Sequence, residues 1–160
     1  MCKAILLVED SSAERDLAMM AFERDDLTEQ VQITTDGEEA LDYLFCQGNY
    51  ASRKKENPSI VLLDLHLPKV DGIQVLKTIK LHESFKTIPV IMLSNSNDYK
   101  DVEQCYKLGA NAYLLKPVDF FDFQKMIREV TAFWGWLNEP PPGGHRFKQH
   151  KMTASISSHT

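Results

Sequence analysis

Five short runs of aliphatic and β-branched residues punctuate the chain, at Lys3–Val8, Val31–Thr34, Ser59–Asp64, Pro89–Leu93 and Ala112–Leu115. The stretches ILLV, IVLL and VIML within them are apolar without alternation. A strand with one face in water alternates polar and apolar residues, so these runs predict strands of a parallel sheet covered on both faces. Between them lie segments of helix length. Three of these open with a capping pair: Ser11 with Glu14, Asp36 with Glu39, and Asp71 with Gln74. A short side chain bearing oxygen accepts hydrogen bonds from the free N–H groups of a first helical turn. The alternation predicts an α/β chain of the (βα)5 kind, doubly wound around a central parallel sheet of five strands.

A last helix is expected from the cap Asp119, with Val118 and Phe123 spaced to form a hydrophobic staple. Phe120, Phe123, Met126, Ile127, Val130, Phe133, Trp134 and Leu137 keep helical spacing and predict one core-facing stripe. Residues two apart diverge by about 200° on a helix, so Trp134 and Trp136 cannot share that stripe. One of them is expected at a tail or partner contact. After Leu137 the chain reads NEPPPGGHRFKQHKMTASISSHT, with no apolar period. The expected division is one domain over residues 3–137 and a flexible or loosely docked C-terminal tail over residues 138–160. The tail is basic where the body is acidic, and the polar stretch Gln47–Pro58 reads as a surface loop.

A chain of 160 residues has room for one sizeable core. The N-terminus reaches acids at Glu9 and Asp10 too early for a signal peptide, and no run of about 18 apolar residues follows. A soluble, cytoplasmic protein without a membrane partner is expected. Cys2, Cys46 and Cys105 lack the close pairing of a zinc or redox site and read as reduced. A net charge of −5 argues against nucleic acid as a partner, because binding phosphates needs a basic face.

In a doubly wound sheet, ligands gather beyond the carboxyl ends of the strands. The residues expected there are Glu9, Asp10, Asp64, Ser94 and Lys116. Three carboxylates crowded into one site would force one of them to hold a proton unless a cation intervened. Oxygen donors without a cysteine or histidine pair select a hard ion such as Mg²⁺, which keeps waters and meets phosphate oxygens. The set therefore suits phosphoryl transfer. Asp64 is the candidate nucleophile, Lys116 a charge for the added phosphoryl oxygens, and Ser94 a hydroxyl donor to one of them.

Here the sequence resembles the response-regulator receiver family, over residues 3–137. The resemblance is carried by ILLVED with Glu9 and Asp10, IVLLDLHLPKVDG with Asp64, Pro68, Asp71 and Gly72, VIMLSNS with Ser94, and NAYLLKP with Tyr113, Lys116 and Pro117. It implies a flavodoxin-like sheet of order 2-1-3-4-5. It also implies Asp64 as the acceptor of a phosphoryl group from a histidine kinase in a two-component phosphorelay. Mg²⁺ would be held by Glu9, Asp10, Asp64 and the backbone carbonyl of His66, with the His66 side chain exposed. Ser94 and Tyr113 would form a conformational switch, and the Lys116–Pro117 bond would be cis. No turnover of an outside substrate is implied beyond Mg²⁺-dependent self-phosphorylation and self-dephosphorylation. The loop Cys46–Asn57, LDLHLPKVDG and AFWGWLNEPP look most like the small regulators paired with phytochromes. Those act without an output domain, and several form homodimers through the fourth helix, fifth strand and fifth helix. The surplus of aromatics at Phe133, Trp134 and Trp136 points the same way.

Three other functions fit less well. A flavodoxin-type electron carrier needs a turn of phosphate-binding donors where this chain has Glu9 and Asp10. A phosphatase of the haloacid-dehalogenase type wants an Asp at position 66, which is His66. The residues after Leu137 are too few for a helix-turn-helix output module.

Overall fold

The computed structural model describes residues 3–148. The predicted strands form where expected: β1 Ile5–Val8, β2 Val31–Thr34, β3 Ile60–Asp64, β4 Val90–Ser94 and β5 Ala112–Leu115. All pair in parallel, in the order β2-β1-β3-β4-β5. The three central strands carry the uninterrupted apolar runs and are buried throughout, whereas β2 and β5 are edges and partly exposed. Successive side chains of a strand point to opposite faces. Leu6, Val8, Val61 and Leu63 accordingly pack on one face, and Ile5, Leu7, Ile60 and Leu62 on the other.

Helices α2 Gly37–Phe45, α3 Gly72–Leu81 and α4 Tyr99–Lys107 supply buried residues to the first face, and α1 Ser12–Arg24 and α5 Phe120–Ala132 to the second. The capping pairs form as read: Ser11 Oγ accepts from Glu14 N at 3.3 Å, Asp36 Oδ1 from Glu39 N at 2.8 Å and Asp71 Oδ1 from Gln74 N at 2.9 Å. Asp119 caps α5 by accepting from Asp122 N at 3.0 Å. The staple expected beside it is absent, since Val118 is 98% exposed while Phe123 is buried. The chain enters α5 with Val118 turned to water, so the two side chains never meet. Arg128 of α5 clamps Asp25 after α1 through Nε and Nη2, at 2.8–3.1 Å, and so holds the two helices together.

The stretch Gln47–Pro58 is pinned more firmly than a plain surface loop. Arg53 lies 4.0 Å over the Tyr43 ring and donates to the Tyr43 and Glu56 carbonyls, while the Tyr50 hydroxyl donates to Glu39 at 2.7 Å. Cys46 and Cys105 are free, and Cys2 lies outside the described residues. No helix among the described residues is long and apolar enough to cross a membrane.

The largest departure from expectation is at the C-terminal end. Past α5 the backbone widens into a π turn over Phe133–Leu137, in which Asn138 N reaches back five residues to Phe133 O at 2.7 Å. Both Trp134 and Trp136 pack against the α1/α5 side of the core, and Trp136 also makes the tail contact expected of one of the two. The following chain returns beneath them. Phe147 is 3% exposed, meets the Trp136 ring edge-on at 5.9 Å, and donates its N–H to Gly135 O at 3.2 Å. Gln30 brackets the next residue, donating to Lys148 O at 3.2 Å and accepting from Lys148 N at 2.9 Å. The segment 138–148 takes the docked alternative of the expected tail; residues 149–160 lie outside the described residues.

Gly135 makes the docking sterically feasible, because a Cβ there would come within 2.1 Å of the Phe147 ring. Phe147→Ala is expected to destabilise the fold by about 3–5 kcal/mol, the range typical of lost aromatic burial. Gly135→Ala should act in the same direction with the ring intact. Denaturant titration followed by tryptophan emission checks both, and the emission should move to longer wavelength as Trp136 meets water. An unchanged midpoint and spectrum would place Phe147 outside the core.

Candidate functional site

The carboxyl ends of β1, β3, β4 and β5 bring the residues singled out in the sequence to one edge. Glu9 and Asp10 follow β1, Asp64 ends β3, Ser94 ends β4 and Lys116 follows β5. Carboxylate oxygens of Glu9, Asp10 and Asp64 all lie within 4.8 Å of one another. Glu9 and Asp64 are buried, and Asp10 is exposed at the mouth. Gly72, the first residue of α3, lets that helix approach β3, since a Cβ there would lie 2.1 Å from Asp64 O.

Lys116 enters from the side. Its Nζ lies 2.9 Å from Glu9 Oε2 and 3.2 Å from Asp64 Oδ2, with the side chain 3% exposed. Burial alone would strip its charge, but hydrogen bonds to Glu14 and Glu9 and the charges of Glu9 and Asp64 hold the ammonium above its ordinary range. Glu9 is under the opposite strain. Burial first, and the Asp64 charge second, push its carboxyl up to about 8 against the pull of Lys116. One ammonium does not offset the crowded acids, and a divalent cation would complete the neutralisation. All-oxygen donors, their mutual approach and an exposed Asp10 as a way in fit Mg²⁺ or Mn²⁺. The His66 side chain is exposed and is not among the side chains that cluster as metal donors.

Two residues of the site were read only as helix-start residues or passed over. Glu14 was noticed for its capping geometry, yet its Oε2 is the nearest acceptor to Lys116 Nζ, at 2.7 Å. Arg15 donates to the carbonyls of Glu9 at 3.0 Å and Asp10 at 2.8 Å, fixing the backbone that presents both acids. Their spacing was a signal available in the sequence. Four or five residues beyond an acidic strand end, a first helical turn can reach back over it.

Ser94 is fully buried, accepts from Ser96 N at 2.9 Å through Oγ, and takes the Lys116 N–H on its carbonyl at 2.8 Å. Tyr113 of β5 is partly buried, and its hydroxyl donates to Ser96 O at 2.8 Å. Ser94 and Tyr113 therefore meet through the same loop residue. Ser96 Oγ in turn donates to Asp101 of α4 at 2.6 Å. Every described peptide bond is trans, that between Lys116 and Pro117 included. The expected cis isomer is not adopted, and trans is the intrinsic preference even before proline.

A parallel sheet of order 2-1-3-4-5 with an acid trio, a buried ammonium and a buried hydroxyl at its carboxyl edge is the architecture of a receiver, and the chain belongs to the response regulator receiver domain family, which matches residues 5–128. It is similar to the probable methanogenesis regulatory protein FilR2 of Methanothrix harundinacea, at 42% identity over 139 residues, covering 86% of this chain and 88% of that one. It is also similar to response regulator Rcp1 of Synechocystis, at 39% identity over 132 residues, covering 82% and 88%. The solved Mn²⁺-bound form of Rcp1 matches with a TM-score of 0.80 at 37% identity, over 87% of this chain and 99% of that one. The phosphorylated cyanobacterial phytochrome response regulator RcpA matches with a TM-score of 0.81 at 35% identity, over 88% and 99%.

Mg²⁺ is expected to stabilise the folded chain by RT ln(1 + [Mg²⁺]/Kd). Asp10→Ala should weaken that binding by about tenfold or more, since loss of even an outer-shell partner of a metal ligand commonly costs that much. Titration calorimetry together with thermal melts reads both effects. Equal affinity in the variant would move the metal to other residues.

Proposed function

We propose that this chain is a single-domain response regulator of a two-component phosphorelay. It accepts a phosphoryl group on Asp64 from a sensor histidine kinase in the cytoplasm and signals through its own surface. The observation that carries this reading is the position of the Asp64 carboxylate. It closes the central strand, borders the other two acids, and lies 3.2 Å from the Lys116 ammonium. The likeness to Rcp1 and to the phytochrome response regulator RcpA supports a kinase of phytochrome type as the donor.

In this mechanism an Asp64 oxygen attacks phosphorus in line with the departing imidazole of the kinase and forms an acyl phosphate. Glu9, Asp10, Asp64 and the His66 backbone carbonyl would hold Mg²⁺, which when bound would supply positive charge to the crowded acids and the phosphoryl oxygens. Lys116 offers an N–H to a phosphoryl oxygen, and the Ser94 hydroxyl turns to donate to another. That turn releases the Ser94 contact with Ser96, which also anchors Tyr113, so Tyr113 and the start of α4 respond together. A charge-assisted hydrogen bond of about 1.5–3 kcal/mol made in one state only is enough to shift such an equilibrium. The chain turns over no outside substrate; it takes up and loses its own phosphoryl group.

The output surface in this reading is a homodimer contact on α4, β5 and α5. Trp134 and Trp136 no longer support it, because both serve the core. The support comes instead from Tyr106 of α4 and Leu115 of β5, each 51% exposed on adjacent elements. Exposed apolar side chains of this size commonly mark interfaces.

Asp64→Asn is expected to abolish Mg²⁺-dependent labelling by acetyl phosphate or by the kinase, and chelation should stop labelling in the parent without unfolding it. Persistent labelling of Asp64→Asn would sink the assignment. Sedimentation at micromolar concentration should find a dimer that Leu115→Glu converts to monomer. A parent that is monomeric with and without phosphorylation would remove the proposed surface.

A further inference from the structure

We propose that Glu14 is a positioning residue that holds the Lys116 ammonium in the unphosphorylated chain, and that the incoming phosphoryl group must take this ammonium over from it. The inference rests on the reading of Asp64 as the acceptor. It follows from the partners of the ammonium. Lys116 Nζ donates to Glu14 Oε2 at 2.7 Å and Glu9 Oε2 at 2.9 Å, and makes a longer ion contact with Asp64 Oδ2 at 3.2 Å. A phosphoryl oxygen on Asp64 draws the ammonium toward itself against the hold of whichever acid does not let go.

The three acceptors are not equally free to do so. The Glu9 side chain is 2% exposed, and its other oxygen accepts from Ser11 N at 3.0 Å. Asp64 is 10% exposed and carries the phosphoryl group itself. Glu14 is 25% exposed and stands on the first turn of α1, outside the trio that clusters as metal ligands. A carboxylate released inside a protein is left uncompensated at large cost, whereas one with a path to water is not. Glu14 is the acceptor that can swing away. Charge acts in the same direction, since phosphorylation replaces one carboxylate by a group of about −2 and repels a neighbouring acid.

With acetyl phosphate as donor, the P–O bond to acetate breaks, its electron pair leaves on acetate, and the Asp64 Oδ–P bond forms. Lys116 keeps its protons throughout and exchanges Glu14 for a phosphoryl oxygen. Glu14 therefore competes with the product, and its carboxylate sets how readily the phosphorylated state forms.

Glu14→Gln and Glu14→Asp in the full chain test this at saturating Mg²⁺. Beryllium trifluoride, a phosphoryl mimic, is titrated by calorimetry, and labelling by radioactive acetyl phosphate is timed. Glu14→Gln should bind the mimic about threefold to fivefold more tightly, the scale of one part-exposed ion pair, and label faster by a similar factor. Glu14→Asp, which keeps the charge, should lie between it and the parent. Mg²⁺ affinity should fall less in Glu14→Gln than in Asp10→Ala. Mimic affinity in Glu14→Gln that equals or falls below the parent's would overturn the inference while leaving Asp64 as acceptor. A parent that neither labels nor binds the mimic would overturn the acceptor reading and this inference with it.

Discussion

An ammonium with 3% of its side chain exposed is tolerable only among counter-charges, and Lys116 meets this constraint with three carboxylates drawn from far along the chain. Glu9 follows β1, Glu14 opens α1, Asp64 ends β3 and Lys116 follows β5. Their convergence depends on the strand order, which places β1, β3, β4 and β5 side by side with carboxyl ends at one edge. The dependence also runs the other way. Without the lysine, Glu9 and Asp64 would be buried acids facing each other, and the sheet edge would repel itself.

The balance at this edge differs from that of the Arg128–Asp25 pair beside α1 and α5. Arg128 and Asp25 meet one to one through a bidentate clamp, and nothing further is needed there. At the site the acids outnumber the cation, and Glu9 is pushed up to about 8 by burial and by Asp64. Such an arrangement responds to whatever supplies or removes charge, whether a divalent cation, a phosphoryl group or a displaced ammonium. The Arg128 clamp is structural, and the Lys116 cluster is poised to change.

What the sequence made legible follows from local physics. Uninterrupted apolar runs located the three central strands, because central strands of a parallel sheet have no solvent face, and shorter β-branched or aliphatic runs located the two edges. Ser11, Asp36, Asp71 and Asp119 located helix starts, because a capping oxygen acts within its own turn. Glu9, Asp10, Asp64, Ser94 and Lys116 could be read because a strand ending in an acid, a hydroxyl or a lysine presents it at a predictable edge. The failures were non-local. Val118 matched a staple by spacing, but the direction in which the chain enters α5 turned it to water. Phe147 stands alone between Arg146 and Lys148, and nothing in its neighbourhood reveals the pocket made for it by Gly135 and Trp136. Glu14 announced a cap truthfully, and that one sufficient explanation hid its second role.

The standing of β5 as an edge strand has a mechanical consequence. It is bonded to β4 alone among the described strands, it is partly buried until the exposed Leu115, and it carries Tyr113 within it and Lys116 just past its end. A central strand could not slide without breaking ladders on both sides, whereas β5 can shift against a single neighbour while the rest of the sheet stays rigid. A pull on Lys116 is therefore a pull on a lever whose pivot is β4. The free side of that lever faces outward, where any bound protein would feel the displacement directly.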